Sequence, residues 1–335
     1  MGCTSNKRVL TTSINPAIQK VKIGEKNIEV NKEPEKITKQ KEENHIKEEM
    51  LLLKYETETE NETIRLFGND VDEFDDFTIP FFEREKDKFE LYENDIKIND
   101  CIYAFERPGI HTIKMIIKAK ITDFSYMFYD CEKLKGITGY IDTSKAKRFS
   151  WMFNNCTSLI DISALKDFDI RNSSMLDFLF EGCASLSDIS PLKDWDLSGD
   201  KFISSIFCGC ASLKDITPLK NWDVSNIKCF TYIFSKCTSL SDIKALGNWN
   251  VSKGNTFIYF FNKCSSLKDI NPLKDWNMRN GEYFKFMFSE CTSLKNISAL
   301  KSWDISNGKD FSGMFEGCNI ENIEEMKMKF GDDIL

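Results

Sequence analysis

Phe234-Ser235-Lys236-Cys237-Thr238-Ser239-Leu240-Ser241-Asp242-Ile243 is one copy of a pattern that organises most of the chain. Its cysteine belongs to a series at Cys131, Cys156, Cys183, Cys210, Cys237, Cys264, Cys291 and Cys318, with a first interval of 25 residues and six of 27. Three residues before each stands a phenylalanine, from Phe128, Phe153, Phe180 and Phe207 through Phe234, Phe261, Phe288 and Phe315. A fixed period of this length means one small supersecondary unit copied many times. Each copy is too small to bury its apolar face alone and so stacks on its neighbours.

Within a copy, Phe311, Met314, Phe315 and Cys318 are spaced i, i+3, i+4, i+7, which predicts one face of a short helix. Apolar residues then follow each cysteine at intervals, as Leu213, Ile216, Leu219, Trp222 and Val224 follow Cys210. The last two alternate, so Trp222-Asp223-Val224-Ser225 reads as a short strand, followed by a turn at Asn226 and, in other copies, at Gly199, Asn280 or Asn307. The expected fold is an α/β repeat solenoid of coils of about 27 residues, each a short strand plus a short helix.

Four segments follow from composition. Residues 1–60, rich in Lys, Glu, Asn and Thr, read as a disordered linker in which Ile46 to Leu53 has the makings only of an isolated short helix. Residues 62–120 hold β-type runs at Ile64 to Phe67, Phe77 to Phe82, Phe89 to Ile98 and Ile110 to Ile121, and read as a β-rich N-terminal cap. Residues 121–320 are the repeats, and 321–335, with Ile323, Met326, Met328 and Phe330 among charges, read as a C-terminal cap. Without caps the terminal coils would expose apolar ends and unpaired edges.

The repeat residues carry a resemblance. Phe234 to Ile243, and the opening Ile121-Thr122-Asp123-Phe124-Ser125-Tyr126-Met127-Phe128-Tyr129-Asp130-Cys131, resemble the BspA-like leucine-rich-repeat family over about residues 110–323. The resemblance implies a leucine-rich-repeat-like stack and a surface or interaction role, as in the adhesion and protein binding of bacterial and protist members. The asparagine spacing departs from the common leucine-rich pattern, with seven residues from Leu219 to Asn226 where that pattern has eight.

The N-terminus, Met1-Gly2-Cys3-Thr4-Ser5-Asn6-Lys7-Arg8, opens as an N-myristoylation signal does, although Asn6 stands where Ser or Thr is usual. One myristoyl chain binds membranes with an association constant of only about 10⁴ M⁻¹. A palmitoylated Cys3 and the bases Lys7, Arg8, Lys20, Lys22 and Lys26 would supply the second signal at an anionic leaflet. The plain alternative is an ordinary start dipeptide followed by a small residue.

Chemistry is sparse elsewhere. The eight repeated cysteines are expected as an inward column of small, reduced thiols. Cys208-Gly209-Cys210 lacks the second pair of a zinc site. His45 and His111 are the two histidines, and neither belongs to a catalytic constellation, so no catalytic residue, cofactor or metal is expected. A depressed thiol pKa at Cys208 or Cys229 would reopen the enzyme reading. Asp161, Asp188, Asp215, Asp242 and Asp269 suit turn capping better than calcium. Phe168, Trp195, Trp222, Trp249, Trp276 and Trp303 are expected in the core, with an exposed ligand-binding row as the alternative. Lys166, Lys193, Lys220, Lys274 and Lys301 form a column that is either a solvated face or a grip on an acidic partner.

The net charge of −8 with mixed charge in the repeats argues against nucleic acid, and no run of eighteen apolar residues exists. The expected function is a non-enzymatic protein–protein interaction scaffold with no small-molecule substrate. It would be held at the inner leaflet, on the cytoplasmic face of a membrane such as the plasma membrane, through acylation at Gly2 and Cys3. The alternative is an adhesin-like cell-surface protein, exported unconventionally, that binds host or matrix protein or carbohydrate. Sequons at Asn61, Asn155, Asn172, Asn250 and Asn296 would separate the two.

Overall fold

The computed structural model describes residues 48–68, 79–321 and 323–335. Its regular strands are β1 (Met50–Thr57), β2 (Glu62–Arg65), β3 (Phe89–Glu93), β4 (Ile96–Ile98), β5 (Ile102–Phe105), β6 (Gly109–Ile117) and β7 (Leu134–Tyr140). Five of them form a sheet in the order β4-β3-β6-β1-β7, and β2 pairs with β5 in a second, two-stranded sheet. All the pairings between these strands are antiparallel. The segment Met50–Thr57, which falls in the expected linker and overlaps the expected short helix, is an inner strand of the larger sheet. Its alternation of buried and half-buried residues places Leu51, Leu53 and Tyr55 inward, and the buried Tyr55 hydroxyl donates to the Leu66 carbonyl at 2.6 Å.

The expectation of a strand-plus-helix solenoid is overturned. Among the described residues α-helix is confined to α1 (Phe81–Glu85) and α2 (Ile323–Phe330), neither inside a repeat, and the sheets are antiparallel. Six successive repeats, those of Cys156 to Cys291, instead contain consecutive tight turns and one short 3-10 turn each, such as Thr217–Asn221, with proline at its start in three copies. The apolar stripe that suggested a helix is real, since Phe149, Met152, Phe153 and Cys156 are all buried. The backbone between them is not helical, because left-handed residues interrupt it at five and one positions before the cysteine, for example Trp151 (φ 56°) and Asn155 (φ 55°). Trp222 to Val224 is extended but joins no strand; lone parallel bridges form instead at other positions, as between Cys229 and Thr256.

Those left-handed residues divide the backbone donors into two sets. The N–H groups of Phe149, Trp151, Phe153 and Asn155 cross to the carbonyls of Met175, Asp177, Leu179 and Glu181 in the next repeat, at 2.9, 3.0, 3.0 and 2.7 Å. Those of Met152, Asn154 and Cys156 turn back to Phe149, Trp151 and Phe153 at 3.2, 3.1 and 3.1 Å. A left-handed residue other than glycine costs roughly 1–2 kcal/mol. Cross-repeat bonds worth about 0.5–1.5 kcal/mol each, together with the rings they bring into register, offset it.

Stacking at this register aligns like with like. From Phe67 a column of rings runs through Phe128, Phe153, Phe180, Phe207, Phe234, Phe261, Phe288 and Phe315, with successive centroids 5.4–5.9 Å apart and planes within 21° of parallel. The first repeat is joined to the sheet through β7, whose Ile137 N–H donates to Asp161 at 2.8 Å. At the other end, Gly313 and Phe315 donate to Asp333 and Ile334, both at 2.7 Å, so the C-terminal residues supply carbonyls where another repeat would have supplied them. Phe330 of α2 closes over Phe311 edge-on at 5.3 Å.

Replacing Phe207, fully buried between Phe180 and Phe234, by alanine should lower stability by about 3–5 kcal/mol. Urea denaturation of the two proteins measures this.

Candidate functional site

The repeat register generates several side-chain columns, and they differ in what they can do. The cysteine column is interior, with Cys131 to Cys291 buried and Cys318 half-buried, all as free thiols. From Cys156 onward each thiol donates to a phenylalanine carbonyl of the preceding repeat, as Cys237 does to Phe207 at 3.1 Å and Cys264 to Phe234 at 3.1 Å. That carbonyl already accepts the N–H of its own repeat's cysteine, for example Cys210 to Phe207 at 3.1 Å. The position therefore needs a small apolar side chain with one weak donor, which is what a cysteine is.

The indole column is interior too. Trp195, Trp222, Trp249, Trp276 and Trp303 are 2–6% exposed, and their Nε1–H groups donate to leucine carbonyls one repeat back at 2.8–3.0 Å. Phe168 fills the same position, 7% exposed. The aspartates cap turns: Oδ1 of Asp161, Asp188, Asp215, Asp242 and Asp269 accepts the backbone N–H two residues on, at 2.8–3.0 Å.

Lys166, Lys193, Lys220, Lys274 and Lys301 all lie exposed. Lys193 and Lys274 stand 3.8 and 3.9 Å from the carboxylates of their neighbours Asp194 and Asp275, and Lys301 is 2.6 Å from Glu325. Gly2, Cys3 and His45 lie outside the described residues. His111 is tied into the sheet, with Nδ1 2.9 Å from Glu93 and Nε2 2.9 Å from the Arg107 carbonyl and 3.1 Å from the Thr57 hydroxyl. Both ring nitrogens are thus engaged by structural partners.

A further column was not singled out by the sequence reading. Five residues before successive cysteines stand Tyr126, Trp151, Phe178, Ser205, Tyr232, Tyr259 and Phe286, each left-handed with φ of 56–61°. The rings are half-buried and stack nearly parallel: Tyr126–Trp151 at 5.1 Å, Trp151–Phe178 at 4.6 Å, Tyr232–Tyr259 at 4.6 Å and Tyr259–Phe286 at 4.9 Å. Ser205 interrupts them, and a cavity of about 360 Å³ opens there between Phe178 and Tyr232, with Ser205, Cys208, Glu181 and Lys236 among its lining. Aligning the copies by their cysteines would have shown both the aromatic position and its gap.

The electrostatics around this cavity are set by the burial of its polar groups. Burial pushes the Cys208 thiol up to about 12, so at neutral pH it is a protonated thiol and not a nucleophilic thiolate. Burial also raises Glu181, whose Oε2 accepts from the Asn154 amide at 3.0 Å, and Asp177, whose Oδ1 accepts the Ser204 N–H at 2.9 Å. Among the described residues no cluster of three or more His, Cys, Asp or Glu side chains is placed to hold a metal ion.

Residues 101–217 and 201–328 match a family described as Mycoplasma protein of unknown function, DUF285. No curated protein and no solved structure matches the chain.

Burial raises the thiols of Cys156, Cys210 and Cys237 as well as Cys208 above the ordinary value of 9. The unfolded chain gives up these protons near pH 9 and the folded chain holds them longer. This contribution to stability is therefore fully present below about pH 9 and lost progressively as pH rises above it, at up to about 1.4 kcal/mol per pH unit for each thiol. Urea midpoints at neutral pH and at about pH 10.5 should differ in that direction.

Proposed function

The chain belongs to the DUF285 family of Mycoplasma proteins of unknown function, and from that premise we propose that it is a non-enzymatic protein-binding scaffold that engages its partner through the half-buried aromatic column. The observation that carries this reading is the side-chain series itself. Tyr126, Trp151, Phe178, Tyr232, Tyr259 and Phe286 are large rings held in register yet left partly in solvent. Rings of this kind, rigid and already ordered, are what protein interfaces use as anchors, since little side-chain entropy is lost when they are covered. Phe202, 54% exposed in the Ser205 repeat, adds apolar surface. The other columns offer less. The cysteines and indoles are interior, and the lysines of the 3-10 turns are solvated or paired locally, which suits long-range steering of an acidic partner.

The resemblance to BspA-like proteins supports an interaction role. Tethering at the cytoplasmic face of a membrane through acylated Gly2 and Cys3 completes the proposal, on the strength of the N-terminal motif. Among the described residues no helix is long and apolar enough to cross a membrane. The cell-surface alternative has its own support, because the sequon residues Asn61, Asn155, Asn172, Asn250 and Asn296 are all exposed.

Two experiments test these statements. A partner identified by proximity labelling and then purified should bind the Tyr232→Ser, Tyr259→Ser double variant at least about tenfold more weakly than wild type, a loss of about 1.4 kcal/mol. The variant's circular dichroism should be unchanged, and unaltered affinity would sink the aromatic-column reading. Lys193→Ala and Lys220→Ala should instead alter mainly the association rate and its salt dependence. Separately, Gly2→Ala should release the chain from membranes in cell fractions. An unmodified Gly2 with glycans on the sequons would move the scaffold to the cell surface.

A further inference from the structure

We propose that the gap at Ser205 is a slot for one planar aromatic side chain, a tryptophan or tyrosine of the partner protein, which completes the interrupted column. The inference deepens the scaffold reading and rests on it for the identity of the occupant. Its geometric basis is the arithmetic of the column. Adjacent rings lie 4.6–5.1 Å apart. Phe178 and Tyr232 are separated by two repeat steps of about 4.8 Å, roughly 9–10 Å in all. One ring inserted midway would stack on each at the distance the column already uses, whereas a branched aliphatic side chain is too thick to lie flat against both.

The slot is held open. Phe178 stacks on Trp151 at 4.6 Å with planes 7° apart, and Tyr232 on Tyr259 at 4.6 Å with planes 11° apart, so each wall is fixed by its outer neighbour and cannot tip inward without losing that contact. The floor is made of the small side chains Ser205 and Cys208, 2% and 3% exposed.

The polar groups at the edge choose among aromatic rings. Glu181 offers carboxyl oxygens and Lys236 an ammonium beside the space, and both line the cavity. A ring with an N–H or O–H at its edge, indole or phenol, can pair with the carboxyl while its face meets Phe178 and Tyr232. A phenyl ring would forgo that hydrogen bond.

The test uses the full chain and two capped amino acids, N-acetyl-tryptophanamide and N-acetyl-tyrosinamide, followed by saturation-transfer NMR. N-acetyl-leucinamide is the shape control and adenosine represents a free planar heteroaromatic. The aromatic amides should bind at about millimolar affinity or better, with magnetisation passing between the probe ring and the rings of Phe178 and Tyr232. Ser205→Tyr should abolish that binding, because the new ring takes the vacant place at a φ that the other aromatics already adopt. It should also melt no lower than wild type. Failure of both amides to bind, contacts away from Phe178 and Tyr232, or equal binding by N-acetyl-leucinamide would each overturn the slot, whatever the variant does. Undiminished probe binding by a folded Ser205→Tyr would overturn it too. Adenosine binding at least about tenfold more tightly than the amides would overturn the assignment to a side chain. With the purified partner, Ser205→Tyr should weaken binding at least about tenfold. If it does not while Tyr232→Ser, Tyr259→Ser does, the slot proposal fails and the scaffold reading stands. If neither does, both fail.

Discussion

The structure depends on how each repeat disposes of its backbone donors. In an α-helix each N–H beyond the first turn closes back onto its own segment, and neighbouring units touch through side chains. Here the left-handed residues before each cysteine turn alternate N–H groups outward to the next repeat and leave the others in local turns. Every repeat is thereby hydrogen-bonded to its neighbour at a fixed register. That register makes the phenylalanines, indoles and thiols superpose, and one carbonyl, that of the phenylalanine before the cysteine, serves both the local N–H and the thiol of the following repeat.

A register of this kind leaves open valences at its ends, and both are closed from within the chain. β7 belongs to the larger antiparallel sheet and bonds to the following repeat, so sheet and stack share one strand. At the far end Asp333 and Ile334 present carbonyls to Gly313 and Phe315, and Ile334 is fully buried. An edge left unpaired would be a template for another chain.

The periodic columns are mostly structural, and the binding character lies in what departs from periodicity. A cysteine, tryptophan or aspartate at its repeated position has the same neighbours in every copy and so no individuality. The aromatic column differs because its rings leave the backbone at left-handed residues and remain half-exposed. One repeat, with Ser205 where its neighbours on both sides carry rings, breaks that column and opens a cavity.

By itself the sequence determined the 27-residue period and the inward phenylalanine and cysteine positions, because these follow from composition at fixed spacing, and it favoured a buried indole column and capping aspartates over the alternatives that the structure then removed. The helix drawn from Phe311, Met314, Phe315 and Cys318 was wrong for a physical reason. Burial at i, i+3, i+4 and i+7 says which residues face inward and not where the N–H groups go, and residues such as Trp151 and Tyr232 carry no glycine-like mark of a left-handed conformation. Only the tertiary structure decided that Met50–Thr57 is a strand, because its pairing partners, β6 and β7, lie more than fifty residues away in the chain. It also decided that the column through Tyr126, Trp151 and Phe178 runs along the surface with an opening at Ser205, because exposure depends on the neighbours that repeats bring together and not on any one residue's type.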